Sequence, residues 1–162
     1  MECKYSEKLY WDDLNNQHRY HCDESPLSTG YCIFHDETFL NEDNPDYIEN
    51  VNKVRAQFVE KFNRCINEGK EMLFIGYILP GLELPKVRID NNLYFIYSKF
   101  RGNVNFQNSF FNMKVTFTGA RFENKANFRN CVFYNKVDFN NASFFEASFY
   151  GRSGRFSKMH VT

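Results

Sequence analysis

The stretch VTFTGARFENKANFRNCVFYNKVDFNNASF, residues 115–144, places a phenylalanine at every fifth or sixth position. The same spacing runs through most of the last third of the chain, where two interleaved sets of Phe each recur at every eleventh position. The first set is Phe95, Phe106, Phe117, Phe128 and Phe139, and the second is Phe100, Phe111, Phe122, Phe133 and Phe144, with Phe149 at the fifth position after it. Steps of five and six do not fit the 3.6-residue period of an α-helix.

A small or short side chain lies two positions before each Phe from Phe100 onward. Residues two apart in an extended chain face the same side, so we expect each Phe and its small partner to point inward together. The small positions are Ser98, Val104, Ser109, Val115, Ala120, Ala126, Cys131, Val137, Ala142 and Ala147. A fixed short period predicts a solenoid, in which successive coils stack equivalent side chains.

This pattern resembles the pentapeptide-repeat family, and residues 115–144 resemble its Phe-centred branch, in which five- and six-residue units alternate. The resemblance covers roughly residues 74–156. It implies a right-handed four-sided β-helix with one unit per side, so that one coil takes two units of each length. The chain departs from the commoner branch, which has Leu at the centre of each unit, and the step from Phe149 to Phe156 is seven.

We predict four segments and a mainly β fold. They are a Cys/His-rich head over residues 1–43, a capping helix over 44–70, a quadrilateral β-helix over 71–156 and a tail over 157–162. Asn44 is the predicted N-cap of the helix, and Gly69 suits the position that ends it. An apolar stripe on this helix is predicted to cover the open first coil. The stripe consists of Ile48, Val51, Phe58, Phe62, Cys65 and Ile66.

The head carries a candidate zinc site. Its ligands are Cys3, Cys22, Cys32 and His35, with the spacing C-x18-C-x9-C-x2-H. Two residues between ligands let one tight turn present both side chains to the same ion, and four such ligands match tetrahedral zinc. A head this small commonly needs a metal to fold, so we expect the zinc to be structural. Two other histidines of the head could replace a ligand. They are His18 and His21.

Two alternatives to zinc stay open for these side chains: free buried thiols beside a capping histidine, and a redox or catalytic site. The hexapeptide YCIFHD, residues 31–36, and the junction FIGYILP, residues 74–80, also resemble archaeal pentapeptide-repeat proteins that carry a cysteine-bearing head. Cys65 and Cys131 are expected to be core thiols instead.

The charge is balanced in total but not along the chain. Residues 1–85 contain 16 Asp/Glu and 8 Lys/Arg, a net of −8, while residues 86–162 contain 4 and 12, a net of +8. This asymmetry indicates either two solvated surfaces or a basic wall that binds an anionic protein, a nucleic acid or another copy's acidic half. The candidate contact residues are Lys99, Arg101, Lys114, Arg121, Lys125, Arg129 and Lys136. Asp138 and Glu146 are predicted to be solvent-exposed.

We expect a non-enzymatic binding or scaffold module, because flat walls suit recognition of a surface and no phosphate loop, dinucleotide fingerprint or protease motif occurs. Family members that mimic DNA present acidic walls, so mimicry by this basic solenoid is not expected. The alternatives are a metal-dependent enzyme that uses the head and a purely structural assembly domain. Five cysteines without an export signal predict a cytoplasmic protein, and no apolar stretch predicts a membrane span.

The last coil raises the question of assembly. Relatives in the family commonly dimerise through their C-terminal coils, so the resemblance implies a homodimer that buries Phe144, Phe149 and Phe156. The alternative is a frayed monomeric end.

Overall fold

The computed structural model describes residues 2–6, 8–11 and 16–150. A short antiparallel hairpin comes first, formed by β1 (Leu9–Trp11) and β2 (Gln17–Arg19), and is followed by the helix α1 (Tyr47–Glu68). The remaining strands are β3 (Met72–Leu73), β4 (Ile78–Leu79), β5 (Leu82–Glu83), β6 (Arg88–Ile89), β7 (Leu93–Tyr94), β8 (Lys99–Phe100), β9 (Val104–Asn105), β10 (Phe110–Phe111), β11 (Val115–Thr116), β12 (Arg121–Asn127), β13 (Val132–Phe133), β14 (Val137–Asp138) and β15 (Ser143–Ser148). Within the described ranges, no helix has both the length and the apolar character needed to cross a membrane.

Strands β3 to β15 build a β-solenoid of about four turns. Each pairs in parallel with the strand one coil away, which gives four sides. Side 1 contains β3, β7, β11 and β14, and side 2 contains β4, β8 and the first halves of β12 and β15. Side 3 contains β5, β9 and the second halves of β12 and β15, and side 4 contains β6, β10 and β13. Val115 pairs with Leu93 and Val137, which confirms that one coil takes four of the predicted units.

Phenylalanine rings stack along the inside of every side, as predicted. On side 1 the ring of Phe117 lies 5.5 Å from Phe95 and 5.0 Å from Phe139, nearly parallel to both. Equivalent stacked pairs on the other sides have centroid distances of 4.6–5.7 Å. They are Phe100–Phe122–Phe144, Phe106–Phe128–Phe149 and Phe111–Phe133. These distances follow the strand spacing of about 4.8 Å, so the backbone pairing itself sets the ring stacking.

Three of the small inward positions carry polar atoms, and each finds a partner one coil earlier. Ser98 Oγ donates to the carbonyl of Phe74 at 2.6 Å, and Ser109 Oγ donates to Leu84 at 3.2 Å. Cys131 Sγ donates to the carbonyl of Phe106 at 2.9 Å, and burial raises the pKa of this thiol to about 11. The hydroxyl and thiol groups therefore fill the space beside a ring without leaving a buried donor unpaired.

Left-handed residues recur at two of the four corners. Asn108 and Asn130 have φ of 60° and 57° between sides 3 and 4, while Gly119 and Asn141 have 66° and 56° between sides 1 and 2. Asn and Gly tolerate this region best, which explains the polar residues between the Phe positions. At Gly119 a side chain is also excluded by space, since a Cβ atom would lie 2.5 Å from the ring of Tyr97.

The described part of the last coil lacks one residue relative to the previous coil. Phe122 pairs with Phe144, and the same register would pair Ala126 with Ser148, but the observed partner of Ala126 is Ala147. The missing residue lies at the corner between sides 2 and 3. This deletion explains why the step from Phe144 to Phe149 is five, while the core position is kept.

The helix begins later than predicted. It starts at Tyr47 with Asp46 at the N-cap position, so the assignment of Asn44 as N-cap was wrong. Asn44 Oδ1 instead accepts the backbone N–H of Asp46 at 2.9 Å and forms a turn before the helix. The predicted end is confirmed: Gly69 has φ 64°, and Lys70 N–H donates to Cys65 O at 3.0 Å.

The helix covers the first coil, as predicted. The rings of Phe58 and Phe62 lie 4.9 Å and 6.2 Å from the ring of Phe74, the first of the side 1 stack. The predicted stripe was wrong at Ile48, which is 70% exposed, whereas Val54 is fully buried. Ile48 falls on the outer face because the buried row repeats at every fourth position. The row consists of Asn50, Val54, Phe58 and Phe62.

The exposure of two carboxylates near the C-terminal end of the solenoid was also predicted from the sequence. Glu146 is exposed, but the prediction for Asp138 was wrong, since it is only 2% exposed. Its Oδ1 accepts the N–H of Asn140 at 2.8 Å, and Oδ2 lies 3.9 Å from Lys136 Nζ. Phe156 and the tail 157–162 lie outside the described residues, so the C-terminal dimer stays a prediction.

Replacement of Phe117 by Ala should destabilise the protein by about 3–5 kcal/mol, because it leaves a cavity between two stacked rings. Phe145→Ala is the matched control: this ring is 74% exposed, so its loss should change the free energy of unfolding by less than about 0.5 kcal/mol. Urea unfolding of both variants measures the difference. Equal losses at the two positions would contradict the inward register.

Candidate metal centre

Three separate parts of the head bring Cys3, Cys22, Cys32 and His35 together. A tight turn joins the last two, because the N–H groups of His35 and Asp36 donate to the carbonyl of Cys32 at 3.0 and 3.1 Å. Cys3 reaches the same turn by accepting the Cys32 N–H at its Sγ, 3.2 Å away. Cys22 lies shortly after the end of β2. The four side chains have exposures of only 0–4%.

The four donor atoms lie within 4.8 Å of one another and form a group that could hold a metal ion. His35 Nδ1 is 3.6 Å from Cys3 Sγ, 3.6 Å from Cys22 Sγ and 3.1 Å from Cys32 Sγ. Cys22 Sγ and Cys32 Sγ are 3.7 Å apart. A zinc tetrahedron with ordinary bond lengths has edges of about 3.8 Å between sulfurs and about 3.6 Å between sulfur and nitrogen. Three of the four distances are close to these edges and the Cys32–His35 distance is shorter, so the donor set suits zinc in its chemistry and could close around an ion.

The proton on His35 is placed by a contact outside the cluster. Its Nε2 lies 2.9 Å from the carbonyl oxygen of Ile75 in the first coil. A carbonyl only accepts, so Nε2 carries the proton and the lone pair of Nδ1 faces the sulfurs. The ring of Tyr5 stacks on the imidazole at 4.0 Å and holds its plane. The same histidine thus serves the cluster and joins the head to the solenoid.

The thiols compete for one negative charge in the absence of a cation. The hydrogen bond from the Cys32 thiol outweighs burial and lowers the pKa of Cys22. The same bond and burial raise the pKa of Cys32. A second thiolate beside the first is costly in this buried site. A divalent cation at the centre would remove that cost.

The structure selects among the histidines and cysteines of the chain. His18 and His21 are exposed, and His18 stacks on Tyr10 at 5.2 Å in the hairpin, so neither enters the cluster. Cys65 lies on the helix and Cys131 inside the solenoid, and neither belongs to the cluster. All five cysteines are free thiols.

Two ion-pair groups tie the head to its neighbours, and the sequence analysis missed both. Lys61 of α1 is largely buried, and its Nζ lies 2.6 Å from both Asp23 Oδ1 and Glu24 Oε1, directly after Cys22. No spacing rule pairs residues this far apart in the chain. The acidic pair at 23–24 beside Cys22 was the sequence feature that could have indicated this ion pair.

The second group joins the head to side 2. Glu37 Oε1 accepts from Lys99 Nζ at 2.6 Å, and Glu37 Oε2 accepts from Arg101 Nη2 at 2.6 Å. Burial raises the pKa of Glu37, but the bonds to Lys99 and Arg101 outweigh it and hold the pKa below its usual value. Two of the seven predicted partner-binding cations thus contact the protein's own head.

The other five cations lie on different sides of the second and third coils. Lys125 lies 3.5 Å from Glu146, Lys114 lies over the ring of Tyr94 at 5.2 Å, and Arg129 over that of Tyr150 at 5.3 Å. Lys136 lies at the corner between sides 4 and 1, and Arg121 faces outward on side 2. They surround the coils rather than forming one wall.

Comparison with protein families bears on the solenoid and not on the head. Residues 117–151 match the family described as pentapeptide repeats (9 copies). The described part of this match, up to residue 150, lies in the third and fourth coils, and the preceding coils continue the same stacked register. The solenoid is built of pentapeptide repeats. No curated protein and no solved structure matches the chain.

Removal of one ligand should empty the cluster of this protein. We expect one zinc ion per purified chain, a large loss of zinc in Cys32→Ser and in His35→Gln, and retention in the matched variants Cys65→Ser and His21→Gln. Chelation with EDTA should raise amide exchange over residues 2–35 while the solenoid stays protected. Full metal content in Cys32→Ser would exclude Cys32 as a ligand. An apo protein with unchanged exchange in the head would exclude a structural role.

Acid should weaken the contact between Glu37 and side 2. Its folded pKa lies below the usual value of 4.5, so its stabilising effect is complete above that value and is lost as the pH falls through the folded pKa. Between pH 6 and pH 3.5, the wild type should therefore lose more stability than Glu37→Gln, as measured by urea unfolding. The rest of the head is identical in the two proteins, so the difference isolates Glu37. Parallel pH curves would contradict this contribution.

Proposed function

We propose that this protein is a non-enzymatic binding module: a rigid solenoid, with its head fixed by a structural zinc ion, that binds an anionic macromolecule through its second and third coils. The proposal has two parts, the role of the metal and the nature of the partner. They are supported by different residues and fail in different experiments.

The closed donor set supports a structural ion. Four protein ligands complete a tetrahedron, whereas catalytic zinc keeps one position for water or substrate. The ligands are almost fully buried, so a substrate would have to open the head to reach the ion. Three thiolates and one imidazole also favour zinc over the hard cations, which prefer oxygen ligands. An enzyme that used this site would therefore have to open the set of four protein ligands before a substrate could reach the ion.

The position of the ion explains what it would stabilise. Cys22 adjoins the pair Asp23–Glu24 that binds Lys61 of the helix, and His35 binds Ile75 of the first coil. One ion therefore connects the hairpin, the helix and the solenoid. A rigid junction of this kind suits a module that presents a fixed surface rather than one that moves during catalysis.

The anionic partner is supported by one observation, the charge of the second and third coils. Residues 93–136 contain seven Lys/Arg and a single Asp/Glu, and the carboxylates of Glu37, Asp138 and Glu146 from outside this range neutralise only part of the excess. The five cations other than Lys99 and Arg101 are Lys114, Arg121, Lys125, Arg129 and Lys136. Because they surround the solenoid, we propose that the partner wraps around its coils or binds more than one side. Binding of this kind weakens steeply with salt.

Charge reversal tests the partner. The solenoid variant combines Arg121→Glu, Arg129→Glu and Lys136→Glu, and the matched helix control combines Lys53→Glu, Arg55→Glu and Arg64→Glu. Fluorescence anisotropy would measure binding to a labelled single-stranded oligonucleotide and to labelled polyglutamate. We expect the solenoid variant to weaken binding at least about tenfold at about 50 mM salt and the control to stay within about twofold.

Each outcome of this titration bears on the proposal. Binding of the oligonucleotide alone identifies a nucleic-acid partner, and binding of polyglutamate alone identifies an acidic protein. Equal losses in the two variants, or no measurable binding of either polyanion by the wild type, would overturn the assignment of the surface. Neither result would affect the zinc measurement.

A further inference from the structure

A cleft of about 520 Å³ lies where the head meets the first two coils of side 2. Its floor is formed by Gly76 and Ile78 of the first coil, and the loop 29–38 of the head forms one wall. This volume lies within the usual range for small-molecule sites, about 300–1,000 Å³. The cleft is separate from the interior of the metal cluster, which it touches only through His35.

Three tyrosine rings make the cleft aromatic. Tyr5 and Tyr31 line it from the head, and Tyr97 lines it from the corner between sides 1 and 2. Each ring is held in place by a separate contact. Tyr5 stacks on His35, Tyr97 lies against Gly119, and Lys4 Nζ lies 5.6 Å from the ring of Tyr31. Fixed rings that remain accessible at 43% exposure, as at Tyr97, present faces on which a planar molecule can stack.

The charge in and around the cleft favours an anion. Glu37 binds Lys99 through one oxygen and Arg101 through the other, so this group of three carries a net charge of +1. Lys8 adds a positive charge to the lining and Asp36 a negative one, so these five groups together carry a net charge of +1. The carboxylate of Asp36 is only 4% exposed and is occupied by Thr29 and Thr38. Lys99 can therefore contact a ligand while Arg101 continues to neutralise Glu37.

We propose that this cleft binds a small planar aromatic anion, stacked on the tyrosines with its acidic group at Lys99. The shared chemistry is an aromatic ring beside a phosphate or carboxylate, as in a mononucleotide or an aromatic carboxylic acid. The site does not depend on the macromolecular partner proposed above, because none of the five cations assigned to that partner lines the cleft.

The proposal can be tested by titration of the full, metal-loaded protein followed by amide NMR. The probes are adenosine monophosphate against adenosine, and indole-3-acetate against indole. We expect at least one anion to bind about tenfold more tightly than its neutral counterpart, with shifts concentrated at residues 29–38, 76–78 and 97–99. Adenosine monophosphate alone identifies a nucleotide-like ligand, and indole-3-acetate alone identifies an aromatic carboxylate.

Matched variants separate the cleft from the rest of the surface. Tyr97→Asn keeps a residue that tolerates the left-handed corner, as at Asn108, Asn130 and Asn141, but removes the ring. Tyr97→Asn and Lys99→Gln should each weaken the anion about tenfold, whereas Tyr134→Asn and Lys125→Gln should not. If Tyr97→Asn does not fold, Lys99→Gln alone decides. Equal binding of the charged and neutral probes, binding unaffected by Lys99→Gln, or no binding of any probe would overturn the proposal.

Discussion

The open first coil of the solenoid is the constraint on which the N-terminal half of this protein depends. Inside the solenoid, every ring and most backbone groups find partners in the neighbouring coils, but the first coil has a neighbour on one side only. Its ring at Phe74 is covered by Phe58 and Phe62 of the helix. Its backbone is completed by the head, since Ile75 O accepts from His35 Nε2 and Ile78 N–H donates to Phe34 O. Helix and head are thus two halves of one cap.

This arrangement indicates which contacts a metal ion in the candidate site would stabilise, and the donor atoms alone do not show this. The head contacts the coils through one aromatic stack, Phe34 on Tyr77 at 4.6 Å, and through polar contacts: the His35 hydrogen bond, one backbone hydrogen bond and the ion pairs of Glu37. The polar contacts are strong only when their geometry is fixed in advance. An ion that joins Cys3, Cys22, Cys32 and His35 would fix that geometry, because it removes the conformational freedom of three separate segments at once. The cap and the metal therefore support each other.

The sequence predicts the repeated part of this structure well, because the repeat gives the same information in each coil. Four of the head's residues were also identified, since a head with three cysteines, the last in a local Cys-x2-His pattern, has a composition with a known chemical purpose. The errors fall where a single tertiary contact decides. Ile48 is apolar but faces water, because the coil selects the row through Asn50 and Val54. Glu37 pairs with cations that are distant in the chain, and nothing in either segment alone indicates the other.

Proline provides the last part of the cap. The carbonyls of Tyr77 and Leu79 accept N–H groups from Lys99 and Arg101 of the second coil, so these residues point toward the solenoid. The backbone groups of alternate residues point the other way, toward the open end. Ile78 directs its N–H to Phe34 of the head, while residue 80, at the corner that follows β4, is a proline, which has no N–H to leave unpaired. The first coil is thus closed by three different means along sides 1 and 2: a helix over the ring of Phe74, a head bonded to the carbonyl of Ile75 and the amide of Ile78, and a proline at the corner that follows. An edge completed in this way offers no free donor to a strand of another chain at this point, which is how natural β-proteins avoid edge-to-edge association.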